Sequence, residues 1–213
     1  MCFSAKISLI TFLVGLLFSL LLFFFGNKKY NIQNKIAGMT LIFINLVQFM
    51  DYLFWIDLDN KRGINKIMTI LGPILVNCQP LFAYIITLYF INPFSNMKTF
   101  DYSILFLNLF YLIYFIIYYY NFLNKDKELI TGVNKYGHLH WPWSKYFIKI
   151  FYLLLLAINL FNLKNFNYSL ILFLITYFFL FLSIKLFYYN IGELWCVFGN
   201  LIPLLMLIIG YYI

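Results

Sequence analysis

A chain of 213 residues is long enough for one domain, yet 64% of it is hydrophobic and only 10% is charged, where soluble domains run about half apolar and about a quarter charged. This excludes a water-soluble globule, because too little polar surface remains to cover a core, and it makes lipid the expected solvent. The formal net charge of +8 comes from basic residues in short gaps between apolar stretches, with no continuous basic stripe, so nucleic acid is not an expected partner.

The fold expected is all-α: one transmembrane domain over residues 1–213, a polytopic helix bundle of seven spans. Each crossing takes roughly 20 apolar residues rising about 1.5 Å apiece. The first is 7–25. Lys6 ahead of an apolar run has the look of a secretory leader, but the run is long and ends in Gly26-Asn27-Lys28-Lys29 with no small-residue cleavage site. It is therefore read as a retained span, and Ser4, Ser8, Thr11, Gly15 and Ser19 give it a small-residue face suited to close packing.

The second span, 35–56, carries Asn45, Gln48, Asp51 and Trp55 at three- and four-residue steps, on one helix face. An acid inside a span costs about 2.5–3.5 kcal/mol on insertion scales and so is expected to face the bundle interior. The third, 66–91, contains Asn77-Cys78-Gln79-Pro80. Pro80 removes one backbone donor and leaves the Val76 carbonyl without its helical partner, which predicts a kink that Asn77 and Gln79 are placed to repair.

The fourth span, 102–122, is followed by a gap, about 123–145, read as a loop and not a domain. Its Gly137-His138-Leu139-His140-Trp141-Pro142-Trp143 run admits two readings: His138 and His140 as metal ligands, with no other cofactor named, or Trp141 and Trp143 as interfacial anchors with Pro142 starting the next helix. Spans at 146–163, 168–187 and 191–212 complete the count, with six spans as the alternative. The seventh places Glu193, Cys196, Asn200 and Pro203 on one stripe, its acid near a positive helix N-terminus. Three cysteines (Cys2, Cys78 and Cys196) exclude a fully closed intrachain disulfide framework.

If the spans alternate, one side holds Lys6, Lys61, Arg62, Lys66, Lys125, Lys127, Lys135 and Lys145 and the other Lys28, Lys29, Lys35, Lys98 and Lys164. The positive-inside rule then puts the N-terminus in the cytosol and the C-terminus opposite. This alternation brings Cys2, Gln48, Asp51, His138, His140, Glu193 and Cys196 to one membrane face, where they form a candidate vestibule, with Trp55 on the same face of span two and Asn77 and Gln79 at the break in span three as further binding candidates.

The opening Met1-Cys2-Phe3-Ser4-Ala5 resembles the start of an uncharacterised family of small multi-pass membrane proteins in microbes and large DNA viruses. Gln48-x-x-Asp51-x-x-x-Trp55 looks like that family's Gln-x-x-Glu-x-x-x-Trp segment, with Asp in place of Glu, and Leu194-Trp195-Cys196 looks like its late Trp-Cys motif. The resemblance implies a membrane protein and names no reaction.

Three functions remain open on the sequence. The first is binding or transport of a small solute, ion or proton through the cytosol-facing vestibule. The second is a structural or interaction role in a membrane, and the third is a membrane-embedded enzyme using Cys, His and acid or a metal. A retinal receptor is disfavoured because the seventh span has no lysine, and a three-His zinc hydrolase because the chain has two His.

Overall fold

The computed structural model describes residues 4–91, 97–125, 129–135, 137–146, 149–186 and 199–212. Its helices are α1 (Ala5–Phe25), α2 (Asn31–Ile56), α3 (Ile64–Asn77), α4 (Gln79–Ile91), α5 (Thr99–Lys125), α6 (Lys149–Phe161), α7 (Phe166–Leu186) and α8 (Ile202–Ile209). Four of them, α1, α2, α5 and α7, are long and apolar enough to cross a bilayer, and the pair α3 and α4, bent by 48°, makes a fifth crossing if taken together. The 13-residue α6 and the 8-residue α8 are shorter than a full crossing requires. The predicted seventh span is described only from residue 199.

These helices form for local reasons. Ser4 caps α1 by accepting from the Ile7 N–H at 3.3 Å, and the Gly26 N–H closes the other end on the Leu22 carbonyl. Between them a nearly all-apolar run satisfies its backbone internally, which hydrocarbon demands. The face that α1 buries is Ser8, Gly15, Ser19 and Leu22, laid against α2, so the small-residue stripe serves close packing. A Cβ at Gly15 would sit 2.5 Å from Asn200 Oδ1 and 2.8 Å from Asn45 Oδ1. Glycine is therefore what lets two amides from other segments reach this helix.

Helix α2 is the hub, touching α1, α3, α4 and α8. The outer surfaces are apolar, as lipid contact requires: Phe106, Phe110, Ile113 and Ile117 of α5 are all exposed. The largest buried cluster joins α1, α2, α4, α7 and α8 through Leu22, Ile36, Leu41, Ile86, Leu172 and Met206.

The break at Cys78 differs from the expected local repair. Pro80 sits in the first turn of α4, where a missing N–H costs little, and Pro73 is the proline inside a helix. Asn77 Nδ2–H donates to the Pro73 carbonyl at 2.7 Å, and Asn77 Oδ1 accepts from the Tyr111 hydroxyl of α5 at 2.6 Å. Gln79 Oε1 accepts from the Tyr152 hydroxyl of α6, and the Pro80 carbonyl from Asn159 Nδ2–H of α6 at 2.7 Å. The bend is thus fastened to two neighbouring helices. Interhelical hydrogen bonds in lipid average about 0.6 kcal/mol, so these set the geometry of the bend more than they stabilise the bundle.

The gap after α5 is not a plain loop. Strands β1 (Gly132–Val133) and β2 (Leu139–His140) pair antiparallel, Gly132 opposite His140 and Val133 opposite Leu139. A buried clasp docks this hairpin on α3: the Thr131 N–H donates to Asn65 Oδ1 at 2.9 Å, Asn65 Nδ2–H to the Thr131 carbonyl at 2.9 Å, and the Thr69 and Thr131 hydroxyls meet at 2.9 Å. Trp143 follows. It is 4% exposed and packs among Val47, Met50, Phe54, Phe122 and Leu139, so it closes the end of the bundle and is not an interfacial anchor.

Candidate functional site

Asp51 lies five residues before the end of α2, about 8 Å along the axis at helical rise, and its side chain is 0% exposed. Trp141 Nε1–H, 90 residues away in sequence, donates to Asp51 Oδ1 at 3.3 Å. Trp141 stacks on Trp143 with centroids 5.1 Å apart and planes 13° apart, and the two rings form the plug between this carboxylate and the hairpin. Trp55 is half-buried and belongs to the same apolar plug.

One turn deeper, Gln48 is 1% exposed and its Oε1 accepts from the Thr11 hydroxyl at 2.9 Å. A further turn in, Asn45 Nδ2–H donates to the Phe12 carbonyl of α1 at 2.7 Å. Its Oδ1, together with Asn200 Nδ2 and Ser19 Oγ, is buried with no hydrogen-bond partner among the described residues. Ser19, Asn45, Gln48, Asn200 and Pro203 line one small cavity of about 10 Å³, near the room that a single water needs. The three-residue step of Asn45, Gln48 and Asp51 meets the four-residue step of Thr11, Gly15 and Ser19, giving a polar seam between α1, α2 and the C-terminal segment. Polar groups inside hydrocarbon are costly and mark functional paths.

The sequence-derived candidates therefore divide. Gln48, Asp51 and Trp55 belong to the seam and its plug, whereas Asn77 and Gln79 bond to α5 and α6 around the α3–α4 break. His138 is buried, with its backbone N–H on Asn134 Oδ1 at 3.1 Å, and His140 is exposed. Burial holds the His138 ring below its ordinary pKa of 6.5, favouring the neutral form. No group of three or more His, Cys, Asp or Glu side chains suited to a metal occurs among the described residues. Cys2, Glu193 and Cys196 lie outside the described residues.

Three participants are hidden from a reading of the sequence. A tryptophan at a span entrance points to the interface, and only the position of Trp141 over Asp51 reveals the bond. Thr11 is visible on the small-residue stripe, but its reach to Gln48 depends on the rotation of α1. Asn159, an amide within the fifth apolar run, offers a single signal, a polar residue where lipid disfavours it.

No protein-family model matches the chain, and neither a curated protein nor a solved structure is found to be similar to it. The fold defines a multi-pass helical membrane protein.

Proposed function

We infer that this protein binds a small cation or proton at Asp51 and passes it along the seam formed by Gln48, Asn45 and Asn200. One observation carries the reading: an acid with 0% exposure inside a membrane bundle stands in line with amides that edge a small, water-sized cavity. A carboxylate attracts a cation or takes up a proton, and amide oxygens such as Asn45 Oδ1 supply neutral coordination in place of water. The His138–His140 pair and the candidates Cys2, Glu193 and Cys196 belong to the same end of the chain's alternation and are proposed as the rim of this path.

Seven crossings with a cytosolic N-terminus form part of this reading. Supporting it, Asn27 of the α1–α2 turn donates to the Gly210 carbonyl at 2.7 Å and Gln33 to the Leu163 carbonyl at 3.1 Å, while Asp51 and Asn65 meet the hairpin at the other end. Turns one, five and the C-terminus thus gather at one end, as seven alternating spans require. Membership of the family with the Met-Cys-Phe-Ser-Ala opening is proposed on the same footing, with Gln48 and Asp51 adjacent on the buried face of α2.

The test is flux in proteoliposomes containing the purified full chain, with a pH-sensitive dye and with monovalent cations. Asp51→Asn is expected to cut flux at least about 10-fold, the loss of a charged site inside a low-dielectric bundle. A wild-type protein that moves neither protons nor cations overturns the reading. The Trp141–Asp51 bond favours a second, structural reading, in which the acid only pins the plug; there the substitution lowers the melting temperature and no flux exists to be lost.

A further inference from the structure

A deeper cavity of about 30 Å³ lies between α2, α4, α6 and α7 and shares a wall of Leu41, Ile44 and Gly199 with the small cavity beside Asn45. A water needs about 10–15 Å³ and two to four polar partners, so the deeper cavity has room for one or two. Four buried polar side chains line it: Thr40 of α2, Thr87 of α4, Asn159 of α6 and Thr176 of α7. The Thr87 hydroxyl donates to the Ala83 carbonyl at 2.9 Å, and Asn159 Nδ2–H is committed to the Pro80 carbonyl. Asn159 Oδ1 and the hydroxyls of Thr40 and Thr176 are buried with no hydrogen-bond partner among the described residues. Buried polar atoms are nearly always satisfied, by ordered water where no protein group reaches. A water donates two hydrogen bonds and accepts two, which suits an amide oxygen that only accepts and hydroxyls that do either.

The two cavities bridge a gap in the polar line of α2. Asp51, Gln48 and Asn45 descend from the hairpin end, and Asn34 stands near the other end, its Oδ1 accepting from the Tyr168 hydroxyl at 2.8 Å. Asp51 and Asn34 lie about 25 Å apart along the axis at helical rise, most of the roughly 30 Å of a bilayer's hydrocarbon. Between Asn45 and Ala37 the helix carries one polar side chain, Thr40. The small cavity meets Asn45, and the deeper one runs past Thr40 to Ile36 and Ala37, a turn short of Asn34.

Volume decides what can pass. Neither cavity has room for a metal cation with waters around it. Among the described residues no charged side chain lines either cavity, so a bare cation would enter a mostly aliphatic wall without a counter-charge, at a heavy desolvation cost. A proton needs no such room. It moves by hops in which an oxygen gains one O–H bond and breaks another, and both waters and hydroxyls can donate and accept in this way. On the reading of Asp51 as a transport site, on which this rests, we propose that its cargo is a proton, relayed by waters held at Ser19, Asn45 and Asn200 in one cavity and at Thr40, Asn159 and Thr176 in the next.

The experiment uses the purified full chain in proteoliposomes loaded with potassium and a pH-sensitive dye. An inside-negative potassium diffusion potential set with valinomycin should drive proton entry equally fast in choline and in sodium buffer. Tracer sodium, and tracer potassium without valinomycin, should not enter. The double substitution Thr40→Val/Thr176→Val should slow proton entry about 5-fold or more, the value of one to two net hydrogen bonds to a bound water. Thr40→Ser/Thr176→Ser, which keeps both hydroxyls, should restore most of the rate. Entry of tracer cation, or proton entry that requires sodium, overturns the proton relay and leaves Asp51 as a cation site. Movement of neither protons nor cations overturns both. A valine double variant that melts like wild type and conducts protons at the wild-type rate shows that the relay does not cross the deeper cavity. The wild-type comparison identifies the cargo even if that variant fails to fold, and Thr176→Val alone then tests the cavity.

Discussion

Two aspartates six residues apart show how position decides what a carboxylate does. Asp51 stays inside α2, while Asp57, just past the end of α2, accepts from the backbone N–H groups of Arg62 at 3.0 Å, Ile64 at 2.8 Å and Asn65 at 3.3 Å. It thereby satisfies orphan donors at the start of α3, next to the positive end of that helix. Burial pushes the Asp57 carboxyl up, but the three backbone donors and the Arg62 charge outweigh it and hold it below its ordinary 3.8. A depressed folded pKa means stability that is fully present above the unfolded value and is lost as pH falls through the folded one. Melting curves of wild type and Asp57→Asn should therefore differ by a constant gap from neutral pH down to about pH 5, and the gap should narrow below about pH 4. A gap unchanged in strong acid would show that the charge contributes nothing to this cap.

At the scale of elements, the plug and the bend depend on close approach. Gly72 of α3 faces the plug: a Cβ there would lie 2.7 Å from Trp143 Cη2 and 2.7 Å from Met50 Sδ. The methionine can swing away, but the indole, packed among Phe54 and Phe122, cannot yield without loosening the hairpin. Gly72→Ala is expected to cost about 1–3 kcal/mol, the usual penalty of overpacking. It should also raise acrylamide quenching of tryptophan fluorescence as the stacked pair is exposed. Unchanged quenching together with unchanged melting would mean that the plug is not seated on α3. The α3–α4 bend, by contrast, is held by side chains on α5 and α6, so its geometry belongs to the assembly and not to Pro80 alone.

For the whole molecule, the prediction concerns sidedness. In a background with Cys2, Cys78 and Cys196 replaced, Lys28→Cys and Lys61→Cys should react with a membrane-impermeant thiol reagent from opposite sides, because α2 separates them and both positions are exposed. Labelling from the same side would defeat α2 as a span and the alternation built on it.

Much of this molecule is legible in its amino-acid sequence. Lipid as the solvent, the helical class, the apolar stretches of α1, α2, α5 and α7, and the inward face of Gln48 and Asp51 all follow from windowed hydropathy and a 3.6-residue period. Those are local, additive properties, since each residue's transfer from water and its place around one helix axis do not depend on distant partners. The tertiary structure alone decided that Trp141 meets Asp51 across 90 residues, that Asn77 and Gln79 tie a bend to Tyr111 and Tyr152, that the long connection folds into a hairpin clasped on Asn65 and Thr69, and that Thr40, Asn159 and Thr176 share a cavity. Each of these depends on the rotation and depth of one helix against another. Interdigitation of side chains across the whole bundle sets both, and no single stretch of sequence carries that information.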